Sequence, residues 1–100
     1  MAKIYINEYS EMAMWGGSRA PVPSAPALVV QTPIAIGGVS VQSAAFNAET
    51  KIIRVHTDAI CSVKIDADPT AGANDMRLAA DQTEYFGVAP GGKLAVVSNT

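Results

Sequence analysis

The sequence predicts an all-β fold: a small antiparallel β-sandwich or barrel, jelly-roll-like or Ig-like, with an extended N-terminal arm. Three observations predict it. Short runs of alternating apolar and polar residues recur about every 8–12 residues, Gly, Pro, Asn and Asp punctuate the gaps, and no segment of useful length has the 3.6-residue period of an amphipathic helix. At 100 residues and 10.4 kDa the chain suits one domain. Surface scaling gives a folded area of about 5,400 Å² for this mass, enough for one modest core and too little for a core around a large substrate cavity.

Taken in order, residues 3–9 (KIYINEY) alternate, with Ile4 and Ile6 on one side and Lys3, Tyr5 and Asn7 on the other, as in a half-exposed strand. Residues 10–26 (SEMAMWGGSRAPVPSAP) change character. Gly16-Gly17 and the prolines at 21, 23 and 26 favour extended or polyproline backbone, so this stretch reads as an arm. Fully extended, residues 8–26 would reach about 60 Å at ~3.3 Å per residue. The chain therefore divides at residue 26, with 1–26 as strand and arm and 27–100 as the sandwich body. Residues 27–32 and 33–36 are strands, Gly37-Gly38 predicts a hairpin, and 39–42 leave it. Residues 43–50 (SAAFNAET) hold a single helical turn at most. Residues 50–57 (TKIIRVHT) and 60–66 (ICSVKID) alternate on either side of Asp58-Ala59, which predicts a second hairpin. Residues 67–75 (ADPTAGAND) form a loop by their turn chemistry. Strands at 76–79, 83–88 and 93–98 complete the set, with Pro90-Gly91-Gly92 closing a third hairpin.

Composition excludes several functions. A formal charge of −2 with no basic run argues against nucleic-acid binding, which needs clustered Lys and Arg to neutralise phosphates. No stretch approaches the ~20 apolar residues of a membrane-spanning helix, and the N-terminus lacks the apolar core of a secretory signal. One cysteine permits no intrachain disulfide, and Cys61, within an alternating apolar run, reads as a small buried hydrophobe. With 49% hydrophobic residues and only 16% charged, the surface suits contact with other proteins.

Reactive chemistry is sparse. His56, Asp58 and Ser62 are the residue types of a hydrolytic triad, but no nucleophile elbow or Gly-rich oxyanion loop accompanies them, and no catalytic residue is assigned. Asp66 and Asp68 begin like a calcium loop. Pro69 and Arg77 then break the pattern where a bidentate Glu is needed, so no metal and no cofactor is expected. Tyr5, Tyr9, Tyr85 and Phe86 are too few and too spread along the chain to predict a sugar-binding platform.

The arm carries the interaction signal. Met adapts to irregular pockets and Trp is enriched at binding hot spots, so Met12, Met14 and Trp15, flanked by Tyr9, Arg19 and Val22, are the candidate contacts with a partner or neighbouring subunit. The alternative is a flap over the chain's own core.

Residues 50–100, with the ordered series KIIRVHTDAICSVKIDADPTA and NDMRLAADQTEYFGVAPGGKLAVVSNT, resemble small proteins of tailed-bacteriophage structural regions. Within that class, a small acidic β domain with an extended N-terminal segment looks like a capsid decoration or cement protein. The resemblance implies a non-enzymatic virion component, made in the host cytoplasm and placed on the capsid exterior. Its expected partners are the major capsid protein and other copies of itself, a homotrimer being favoured. A head–tail connector or tail protein, or a host-surface or carbohydrate-binding module, are the alternatives.

Overall fold

A computed structural model describes the backbone of residues 2–15 and 17–99, and their side chains apart from residues 13–15 and 18–21. Eleven strands form, and no helix is present among the described residues: β1 (Lys3–Tyr9), β2 (Met12–Trp15), β3 (Ser18–Pro23), β4 (Val29–Val30), β5 (Ile34–Ala35), β6 (Val41–Gln42), β7 (Ile52–Thr57), β8 (Cys61–Asp66), β9 (Met76–Leu78), β10 (Thr83–Gly87) and β11 (Lys93–Ser98). Among the described residues no helix is long and apolar enough to cross a membrane. One antiparallel sheet runs β10-β7-β1-β4, with β5 also paired to β1, and the other runs β6-β11-β8-β9. The sheets face each other as a small β-sandwich. The accessible surface is 5619 Å², close to the value that mass scaling predicts.

Alternation decides which face is buried. Ile4, Ile6, Ile53 and Val55 point inward from the first sheet, and Cys61, Val63, Leu78, Leu94 and Val96 from the second, while Ile36 and Phe46 join them from connecting segments. Phe46 comes from the 43–50 stretch, which is irregular with a turn at Ala48-Glu49 and contains no helical turn. Gly92 lies where a Cβ would come 3.3 Å from the Ala89 carbonyl, so a side chain at this edge of the core would require that carbonyl to give by a few tenths of an ångström.

The three expected hairpins are corrections. β7 pairs with β1 and β10, whereas β8 pairs with β11 and β9, so Asp58-Ala59 carries the chain from one sheet to the other. Gly37-Gly38 and Pro90-Gly91-Gly92 do the same, leading from β5 to β6 and from β10 to β11. The physical reason is the core. Each of these strands has one apolar face, and crossing the gap lets consecutive apolar faces meet each other. With two four-strand paths and most connections crossing between them, the topology is that of a jelly roll.

The division at residue 26 is redrawn as well. β1 is an interior strand, bonded to β7 along its whole length and to β4 and β5 on its other side. Residues 3–9 therefore belong to the body, and the arm narrows to the segment between Tyr9 and Leu28.

Candidate interaction surface

The arm is a β-ribbon and not the polyproline tether its prolines suggest. β2 and β3 pair antiparallel, with Met12 opposite Pro23, Met14 opposite Arg19 and Trp15 opposite Ser18, and the register shifts between Met12 and Met14. Gly17, at φ +82°, supplies the left-handed backbone of the turn. Prolines are tolerated because each strand of a two-stranded ribbon is an edge. Ser24 N donates to the Glu11 carbonyl at 2.9 Å, which makes Glu11 and Ser24 a bonded pair. The next pair, Met12 and Pro23, then directs its backbone groups outward, and the donor that Pro23 lacks is one that would have faced away from β2. At this position the missing donor therefore lies on the outward edge of β3, where no ladder bond is lost.

The ribbon's two strands pack chiefly on each other. The molecule measures 45 × 25 × 23 Å, and the longer ribbon strand, the six-residue β3, is about 20 Å long. This is far shorter than the 60 Å reach of an unpaired arm, because the chain doubles back on itself.

Of the six residues the sequence singles out, Tyr9 is half-buried at the end of β1, Met12 is half-buried at the start of β2, and Val22 is exposed. The side chains of Met14, Trp15 and Arg19 lie outside the described residues, although their backbones stand in the ribbon. The structure thus places all six on or beside one projecting element.

At the root of the ribbon sits a group the sequence reading passed over. Glu8 is 1% exposed, and its carboxylate accepts from Asn47 N (2.8 Å), Thr50 Oγ1 (2.6 Å) and Gln31 Nε2 (2.8 Å). Three donors compensate for burying the charge and tie β1, the approach to β5 and the 43–50 segment together where the arm leaves. Its signal was parity: Glu8 shares the inward side of the strand with Ile4 and Ile6. A cleft of about 490 Å³ opens beside it, lined in part by Val29, Val30, Ile34 and Ala44.

The residues weighed for chemistry are dispersed. Ser62 lies buried in the second sheet, where its hydroxyl accepts from Asn99 Nδ2 at 2.7 Å, while His56 faces outward from the first. Asp66 and Asp68 are each engaged within the chain, by Ala67 N and Gln42 Nε2. A different trio does converge. His56, Asp58 and Asp81 bring potential ligand atoms within 4.8 Å of one another, with Asp81 Oδ1 3.9 Å from His56 Nε2. Asp81 is largely water-exposed, so this trio faces solvent and forms no enclosed cage. Burial pushes the Cys61 thiol above its ordinary value, a contact with Thr57 opposing the shift, which leaves the group a poor nucleophile.

Comparison with protein-family models, with curated proteins and with solved structures finds no match to this chain.

Proposed function

We propose that this protein is a non-enzymatic component of a tailed-phage head that binds the outer capsid surface and stabilises contacts between capsomers. The observation that carries the reading is the ribbon: an element outside both sheets of the sandwich, whose two strands are each an edge, and which bears Met, Trp and Val residues. Strand addition supplies main-chain hydrogen bonds and the side chains supply specificity. The resemblance of residues 50–100 to phage structural proteins supplies the context.

In this reading the sandwich is a rigid mount and the ribbon a clamp on the major capsid protein or on a second copy of the chain. A clamp that binds only the assembled lattice stabilises it by mass action, and a trimer multiplies weak contacts into avidity. The test is stoichiometry in purified virions, read from a stained gel against the major capsid protein. Copies in the hundreds support decoration of the lattice. A dozen or fewer would place the chain at the head–tail joint or in the tail, and absence from the particle would overturn the reading.

A further inference from the structure

We propose that the outer face of the β10-β7-β1 sheet is a binding site for a neutral pyranose sugar, separate from the ribbon. The tyrosines spread along the sequence converge here. Register sets Tyr5 opposite His56 and His56 opposite Thr83 in one row, then Asn7 opposite Arg54 and Arg54 opposite Tyr85 in the next, with Tyr9 beside Ile52 in a third. Phe86 takes the opposite parity and packs against the core, which leaves three aromatic rings on one surface.

Between the first two rows lies a depression of about 410 Å³ lined by Tyr5, Asn7, Arg54, His56 and Asp58. Its volume falls in the range of small-ligand sites, about 300–1,000 Å³, and is too small to serve by itself as a protein interface. Several side chains are already oriented. The His56 ring shares a 2.8 Å hydrogen bond with Thr83 Oγ1 through Nδ1, and Asp58 Oδ2 accepts from Lys3 N at 3.2 Å and from Tyr5 Oη at 3.5 Å. The Tyr5 ring lies 6.3 Å from the His56 ring at a tilt of 51° and is 37% exposed. Among the described residues, the Arg54 guanidinium and the Asn7 carboxamide have no side-chain partner, so their planar donors remain available beside an aromatic ring.

That combination identifies the ligand class. A pyranose offers a C–H face that stacks on an aromatic ring, and adjacent hydroxyls that suit the paired groups of Arg, Asn and Asp. One guanidinium and one carboxylate cancel, which suits a neutral hexose better than a phosphate or a uronic acid. Because the site is shallow and open to water, its affinity for a monosaccharide is about millimolar, or about −4 kcal/mol. Several copies on one particle would convert such sites into firm adhesion to a glycan surface.

The experiment is an amide NMR titration of the full chain with methyl glycosides of glucose, galactose, mannose and N-acetylglucosamine, with EDTA present to remove any contribution from cations. At least one sugar should shift resonances confined to residues 3–9, 52–58 and 83–87. Arg54→Met and Tyr5→Ala should each weaken that response by about tenfold or more, as expected for loss of a charge-assisted hydrogen bond or a stacking surface. Lys64→Ala, on the other sheet, should leave it unchanged. Arg54→Met keeps the aliphatic stem, so it tests the site even if Tyr5→Ala unfolds. Silence toward all four sugars at about 50 mM, well above a millimolar Kd, would overturn the proposal. So would shifts mapping to the ribbon or to the second sheet, or a face that responds only to a protein partner. None of these outcomes bears on capsid stoichiometry, so this proposal and the decoration reading fail separately.

Discussion

The sandwich and the ribbon are both antiparallel β structure, yet they are stabilised by different things. In the sandwich β1, β7, β8 and β11 each have neighbours in their sheet and an apolar face against the opposing sheet, so Ile4, Ile53, Val55, Leu94 and Val96 are all excluded from water. In the ribbon β2 and β3 have only each other, and the chain returns to the body through Leu28 N, which donates to the Glu8 carbonyl at 2.7 Å. A two-stranded ribbon is marginal on its own in water. The difference teaches where burial between the sheets stops supplying stability and where a strand pair must rely on its own ladder.

The contrast breaks first at the core. Leu94→Ala should cost about 2–5 kcal/mol, as large-to-small changes at buried leucines do, measured by urea unfolding. A loss under about 1 kcal/mol would mean that the interface between the sheets is looser than its burial indicates. Glu8→Ala should cost about 3 kcal/mol, because it leaves Asn47 N and Thr50 Oγ1 buried without their acceptor. The same variant should speed hydrogen exchange first at residues 28–31 and 43–50, which the carboxylate ties to β1.

Replacing residues 10–27 with Asn-Gly sharpens the comparison. Glu8 and Val29 are register partners, so a two-residue turn between Tyr9 and Leu28 continues the β1–β4 pairing as a hairpin. Stability should change by no more than about 1 kcal/mol, since little of the core is touched. A collapse of folding would show that the ribbon is part of the body. The smallest expected effect concerns Cys61. Its thiol is held above its ordinary value of 9.0 in the folded chain, so the folded state keeps a proton that the unfolded chain releases. The resulting contribution to stability is complete below pH 9.0 and declines as the pH rises through the folded value. Cys61→Ala should remove that alkaline slope, and the native thiol should react with a disulfide reagent only as fast as the chain opens.

How far the sequence could be read follows the same line. Alternation located the strands of the body, because a strand with one buried face must repeat every two residues, and it assigned Ile53 and Val55 to one side and Arg54 and His56 to the other. It could not separate a hairpin from a crossing between sheets. Cys61, Val63 and Ile65 have the same parity whether β8 lies beside β7 or across the core from it, and a short turn such as Asp58-Ala59 permits either path. The ribbon was read as polyproline because prolines disfavour a ladder, and that rule weakens where both strands are edges. Glu8 was legible in principle, as a charge at inward parity. The convergence of Tyr5, Arg54 and Tyr85 was not, because it depends on which strands become neighbours.

The most direct test of the proposed capsid reading is co-sedimentation with capsids of the phage proposed to encode the chain, comparing the full protein with the version carrying Asn-Gly in place of residues 10–27. The account predicts that the full chain pellets with the particles and that the shortened one, still folded by its NMR spectrum, stays in the supernatant. Equal binding by the two would contradict it.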